Sequence, residues 1–193
     1  DREGNIYVAD SNNHRIQKFD QNGKFVTSLG AFSGANNPNP APGTFNEPWG
    51  VAVASDGSVY VADTWNHRVQ KFDANGNFIK MWGAPGQTDV IGPTPIFWGP
   101  RAIAVDKEGQ VYVSDTGNKR IQVFTSEGAF VRQIGGAGVQ PGQLDEPVGL
   151  AVAPEGNLVV NDTWNQRIQV LTPDGQSVRQ WLINGWLDQS VTD

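Results

Sequence analysis

Four nearly identical phrases punctuate the chain: DSNNHRIQKFD from Asp10, DTWNHRVQKFD from Asp63, DTGNKRIQVFT from Asp115 and DTWNQRIQVLT from Asp162. Self-similarity at intervals of roughly 50 residues, carried by short strands, is the signature of propeller blades. Glycine turns divide the second unit into four segments. They are GVAVA (Gly50 to Ala54), SVYVAD (Ser58 to Asp63), RVQKF (Arg68 to Phe72) and NFIKMW (Asn77 to Trp82). Asp-Gly and Asn-Gly between β-branched and aromatic runs are hairpin signals. Here the four segments are called strands a, b, c and d. Strand a is almost wholly apolar (GVAVA, AIAV from Ala102, GLAVA from Gly149), so it is expected to be buried on both faces. Strands c and d carry more Gln and Lys and are expected on the outside of each blade.

The fold class is therefore all-β, a β-propeller of four-stranded antiparallel blades. A single propeller segment spans 1–193, with a partial blade over 1–30 and blades over 48–83, 100–135 and 147–182. Residues 183–193 are expected to start a further connection. The first unit lacks strand a, which leaves 15 strands; a ring of four is geometrically possible, but a larger ring of five or six blades is preferred. Further blades or another chain would complete it, since an open array leaves an unpaired edge and an uncapped core. No leader pattern is visible, and any targeting segment is expected upstream.

Composition narrows the function classes. Hydrophobic residues make up 38% with 23 Gly and 12 Pro, a turn-rich profile. There is no Cys, which removes disulfides, thiolate nucleophiles and Cys-bound metals. No apolar run approaches membrane-spanning length, so no direct membrane contact is expected. Net charge is −6, and four of the 14 basic residues are the motif arginines, a poor footprint for nucleic acid.

The pattern VADTWNHRVQKFDANGNF, with EPWGVAVASDG before it, resembles the NHL repeat along essentially the whole chain. The resemblance implies a β-propeller, commonly of six blades. The tail from Trp181 to Trp186 is similar to NHL tandems appended to large bacterial membrane proteins with glycosyltransferase-like modules, which implies an extracytoplasmic or cell-surface location. Some relatives in shape are lyases or lactonases with a metal at the channel mouth, and some animal NHL proteins bind RNA.

The motif Asp-x-x-Asn-x-Arg allows two readings. A carboxylate and a guanidinium converging on substrate would be catalytic. Alternatively, the pairs Asp10 and Arg15, Asp63 and Arg68, Asp115 and Arg120, and Asp162 and Arg167 are joints. In that reading the Asp accepts N–H bonds of the b–c turn and the Arg returns a bidentate bond. Four equivalent copies at one radius cannot converge on one small substrate, so the joint is preferred and no catalytic residue is assigned. His14 and His67 share a slot with Lys119 and Gln166, a poor basis for a metal site, and no cofactor is expected. Asp73 to Asn77 fits a c–d hairpin better than a calcium loop.

Function is then expected where the copies differ, on the face carrying the b–c turns and d–a loops. The third motif position is Asn12, Trp65, Gly117 or Trp164, and strand a is led by Trp49, Arg101 or Val148. The second d–a loop ends Ile96-Phe97-Trp98. Candidate binding residues are Trp65, Trp164, Asn12, Trp49, Arg101 and Phe97, because aromatics flanked by amides suit protein or glycan partners. Phe45 and Trp98 are expected to plug the gap between blades. The expected function is a non-catalytic binding or scaffold propeller. A metal-dependent propeller lyase or lactonase is the alternative, and RNA binding ranks below both.

Overall fold

The computed structural model describes residues 1–87 and 95–183. Its first strands are β1 (Ile6–Asp10), β2 (Arg15–Phe19), β3 (Phe25–Leu29), β4 (Pro48–Val53), β5 (Val59–Asp63), β6 (Arg68–Phe72) and β7 (Phe78–Trp82). Then come β8 (Ala84–Pro85), β9 (Ile96–Phe97), β10 (Pro100–Val105), β11 (Val111–Asp115), β12 (Arg120–Phe124) and β13 (Phe130–Gly135). The last four are β14 (Pro147–Val152), β15 (Leu158–Asp162), β16 (Arg167–Leu171) and β17 (Ser177–Leu182). Hairpin pairing gathers them into a three-stranded sheet, β1-β2-β3, and three four-stranded sheets, β4 to β7, β10 to β13 and β14 to β17. These are the expected blades. The expected further connection beyond Ile183 and the tail to Trp186 lie outside the described residues. No helix among the described residues is long and apolar enough to cross a membrane.

The core lies between blades. Strand alternation sends Val59 and Val61 of β5 into the cluster shared with the first blade, which also holds Ile16 and Phe72. The intervening Tyr60 and Ala62 enter the cluster shared with the third blade, beside Ile103, Val111 and Phe124. A third cluster joins the third and fourth blades through Tyr112, Ile121, Leu158 and Val160. The second and third blades are thus sheets packed on both faces, whereas the first and fourth pack on one.

This placement corrects two expectations about burial. Strand a is only half-buried: in β4, Pro48 is buried, Trp49 exposed and the rest intermediate. Strands β4, β10 and β14 pack against one another side by side, and a strand on the ring axis has an open side. The wholly buried strands of the second and third blades are b and c, namely β5, β6, β11 and β12. The polar residues of strand c, Arg68, Gln70 and Lys71, are therefore interior groups.

Each d–a loop is pinched by a short parallel contact: Phe32 with Phe45, β8 with β9, and Ala137 with Leu144. Phe45, Phe97 and Leu144 occupy one equivalent slot, three residues ahead of the proline that opens strand a, and all three are fully buried. The glycine ending strand d makes room for this plug. A Cβ on Gly30, Gly83 or Gly135 would stand 2.2, 2.7 or 2.6 Å from the plug side chain, and all three glycines have positive φ. Phe45 plugs as expected. Phe97 does the same and is not a surface residue. Trp98, the next residue, points outward and is exposed.

Adjacent blades are also stitched by polar bonds. The second motif residue donates to the proline carbonyl that opens strand a of the next blade. The bonds are Ser11 to Pro48 (2.7 Å), Thr64 to Pro100 (2.8 Å) and Thr116 to Pro147 (2.7 Å). The fifth motif residue adds a second stitch. His14, His67 and Lys119 all sit in the left-handed region. His14 and His67 accept the N–H of Glu47 and Gly99 through Nδ1 at 3.0 Å, whereas Lys119 pairs with Asp145 at 2.9 Å. Burial holds the His67 imidazole below its usual range, with its ring stacked on Trp98.

Two stability outcomes follow. Thr116→Val strips the Pro147 carbonyl of its donor and is expected to cost about 1–3 kcal/mol in urea unfolding. Thr163→Val should cost distinctly less, because the Thr163 hydroxyl has no partner among the described residues. For His67, the folded pKa lies below the unfolded one. Its contribution is present above the unfolded value and is lost as pH falls below about 6.5. The melting temperature of the chain should therefore fall more steeply from pH 7 to 5 than that of His67→Gln. Parallel profiles would rule out His67 as the sensitive group.

Candidate binding face

Each motif aspartate lies at the floor of the face that carries the b–c turns and d–a loops. Asp63 is fully buried. Its Oδ1 accepts the backbone N–H of Asn46 at 2.8 Å, from the loop ahead of strand a. Its Oδ2 accepts Arg68 Nε at 2.7 Å, Gln70 Nε2 at 3.0 Å and Asn66 Nδ2 at 2.9 Å. Asp115 and Asp162 repeat the pattern, with the N–H groups of Trp98 and Asp145 in place of Asn46. The geometry differs from the expected joint in two ways. The backbone N–H comes from the d–a loop and not from the b–c turn. Arg68 and Arg167 each give the carboxylate one bond through Nε, not two, because their remaining nitrogens are drawn to loop carbonyls. Arg68 holds those of Pro40, Ala41 and Thr44, and Arg167 those of Val139, Gln140 and Gln143.

Burial sets the electrostatics of these sites. It pushes the Asp63 and Asp115 carboxyls upward, against the opposing pull of the loop N–H, the Asn amide and the arginine. In the first blade the same motif meets solvent. There the Arg15 hydrogen bond, at 2.7 Å, leads in holding Asp10 below the usual carboxylate range.

Above this floor stands a rim of aromatics. Phe32, Trp49, Trp65, Trp98 and Trp164 are all exposed on this face. The a–b and c–d turns on the opposite face, such as Ser55-Asp56-Gly57 and Thr125-Ser126-Glu127-Gly128, contain no aromatic residue. Trp65 is 44% exposed and Trp164 68%, and each donates its indole N–H to a glutamate of the d–a loop. The acceptors are Glu47 at 3.1 Å and Glu146 at 2.6 Å. In the third blade the aromatic comes from the loop instead. Trp98 lies over Gly117, where a Cβ would stand 2.2 Å from its ring. Trp65, His67 and Trp98 form a continuous ring array, with His67 4.9 Å from Trp98 and 6.4 Å from Trp65.

The remaining candidates divide. Trp49 and Arg101 meet, with the guanidinium 4.7 Å above the indole. Asn12 and Trp49 share a cleft of about 470 Å³ with Val8, Asp10 and Gln17. Phe97 leaves the set, being buried against Phe124. Among the described residues no three of His, Cys, Asp and Glu are grouped to hold a metal. Asp73 spends its carboxylate on the N–H groups of Asn75 and Asn77 inside the c–d hairpin. What the face offers chemically is flat apolar area ringed by acceptors, suited to recognition.

Three functional groups escaped the sequence reading. Gln17, Gln70, Gln122 and Gln169 recur seven residues after each motif Asp and bind it, a regularity visible in the sequence. Glu47 and Glu146 recur in the Glu-Pro pair before strand a, but their link to a tryptophan 18 residues on is purely spatial. Phe32 has no counterpart in the other loops and gave no signal.

The family model described as NHL repeat matches residues 1–19, 45–72, 97–124 and 144–171. The chain is 36% identical over 137 residues to peptidyl-glycine alpha-amidating monooxygenase A of Xenopus laevis, covering 69% of this chain and 14% of that protein. It is 36% identical over 94 residues to protein brain tumor of Drosophila melanogaster, covering 48% and 9%. It is 33% identical over 129 residues to a probable peptidyl-alpha-hydroxyglycine alpha-amidating lyase of Caenorhabditis elegans, covering 65% and 35%. The chain thus spans well under two thirds of these relatives. Among solved structures, a streptogramin B lyase superposes with a TM-score of 0.67 at 18% identity, over 96% of this chain and 53% of that one. At that identity the likeness shows the fold alone. With four family matches falling on four blades, more than half the sequence is accounted for, and the chain belongs to the NHL-repeat family of β-propellers.

Proposed function

We propose that the chain is a non-catalytic binding propeller that presents the face of b–c turns and d–a loops to a protein partner. One observation carries this reading: exposed aromatics crowd that face, at Phe32, Trp49, Trp65, Trp98 and Trp164, while the turns of the opposite face have none. Exposed tryptophans cost solubility and are not demanded by the turns, since Asn12 and Gly117 fill the same position. Aromatic anchors with polar rims are what protein interfaces use most. Stacking on the same rings would also serve a glycan. Basic groups on the face are engaged, Arg101 by Trp49 and Lys119 by Asp145, which weighs against nucleic acid. A cell-surface location remains part of the proposal and rests on the tail sequence.

The second reading is a propeller lyase. It is favoured by the similarity to amidating lyases and to streptogramin B lyase, and it would place a metal at the channel mouth. Stoichiometric divalent metal in the purified full-length protein, with loss of turnover on chelation, would select it.

Photo-crosslinking separates the faces. A photoreactive residue at position 12, the exposed b–c turn position of the first blade, should capture a partner, whereas one at 108 or 155 should not. Replacing Trp65 and Trp164 by Ala together should abolish capture and leave the melting temperature within about 2 °C, because neither ring is core. Equal capture from both faces would remove the assignment.

A further inference from the structure

Across the three complete blades, two positions change together. Where the b–c turn carries Trp65 or Trp164, the residue before the strand-a proline is Glu47 or Glu146; where the turn carries Gly117, that residue is Gly99. All three loop residues have positive φ: 45° at Glu47, 62° at Gly99 and 46° at Glu146. Backbone preference favours glycine there, as the third blade has it. Glutamate is kept against that preference, and only beside a tryptophan.

Local structure gives a weak account of this pairing. The indole–carboxylate bonds lie at the exposed rim, where a hydrogen bond adds little because water competes for both partners. The carboxylates also keep most of their acceptor capacity. Each receives one indole N–H, and among the described residues no Lys or Arg forms an ion pair with Glu47 or Glu146. An exposed indole face beside a carboxylate that has no ion-pair partner, with Lys119 acting on Glu146 only through space, complements a cation on both counts. The ring quadrupole attracts it, and the carboxylate accepts its N–H groups. The same face already shows half of this interaction, with the Arg101 guanidinium stacked 4.7 Å over Trp49.

We propose that Trp65 with Glu47, and Trp164 with Glu146, are two equivalent sockets for arginine side chains of the partner protein. This deepens the binding-face reading and rests on it. Arginine fits better than lysine because its planar group can stack on the indole and still donate in-plane to the carboxylate. The two sockets stand on one rigid scaffold with the third blade between them. A basic segment that reaches both gains from the second contact without new chemistry.

The test uses a capped tetra-arginine peptide and its citrulline counterpart, which keeps the shape and loses the charge. Both are titrated into the chain by calorimetry at low and physiological salt. The arginine peptide should bind at least tenfold more tightly than the citrulline peptide. The double variant Glu47→Gln with Glu146→Gln, whose amide oxygens still accept the indole N–H, should weaken binding at least tenfold with an unchanged melting temperature. The control Glu155→Gln with Asp174→Asn, on the opposite face, should leave it unaltered. Equal affinity for the two peptides, or an equal effect of the control, would overturn the sockets in favour of diffuse attraction. If partner crosslinking is lost on removing Trp65 and Trp164 but survives both Glu→Gln changes, the sockets fall and the binding face stands. If it survives both pairs of changes, both proposals fall.

Discussion

A carboxylate sealed from water must be saturated with donors, and that requirement organises the second, third and fourth blades. Asp63 sits at the end of β5 with no exposed surface and takes bonds from Asn46, Asn66, Arg68 and Gln70. Those donors come from three segments, namely the d–a loop, the b–c turn and β6. The arginine extends the network by gripping loop carbonyls, and Gln70 also accepts the N–H of Gly43. A buried ion pair of this kind is not a simple source of stability, because desolvation offsets much of the attraction. Its effect is conformational. Removing either partner strands a charge at a cost of roughly 3–5 kcal/mol, so the loop path that satisfies both is strongly selected.

The candidate face inherits its geometry from that network. Asn46 is pinned through its N–H by Asp63, and its carbonyl accepts the N–H of Trp65. Glu47 follows directly, its N–H held by His14 from the preceding blade. The indole and its carboxylate are therefore fixed from below by an interior ion and from the side by a neighbouring blade. A recognition surface on such supports loses little conformational entropy on binding. The irregular loops contribute shape, while the repeated floor contributes rigidity.

Much of this was legible in the sequence. The strand boundaries at Asp63 and Arg68, the hairpin turns and the blade count of the segment follow from repetition and turn chemistry. Burial was misread at strand a because unbroken apolar character was equated with two buried faces, whereas an axial strand has one open side. Strand c was misread for the converse reason: Gln70 and Arg68 look like surface residues until their partners are known. Phe97 and Trp98 exchanged roles because sequence does not show which of two adjacent aromatics falls in the plug slot. The register with Phe45 and Leu144, counted back from the proline, would have decided it. The glutamates escaped notice because their tryptophan partners lie in another hairpin, beyond the reach of local pattern.

Repetition also isolates the positions at which the backbone leaves the side chain free. His14, His67, Lys119 and Gln166 share a left-handed conformation that any of them tolerates equally poorly. For His14, His67 and Lys119 the choice is thus made by what each side chain reaches across the seam. An imidazole that accepts an N–H through Nδ1 must be neutral at that atom, and burial holds His67 below its usual range, so the seam between the second and third blades depends on proton activity. The third seam, closed by Lys119 and Asp145, is a half-buried ion pair whose strength depends on ionic strength instead. Blades that look interchangeable in sequence are therefore joined by chemically distinct contacts. A fall in pH loosens the seam that His67 closes between the second and third blades, and a change in salt acts first on the seam beside Trp164.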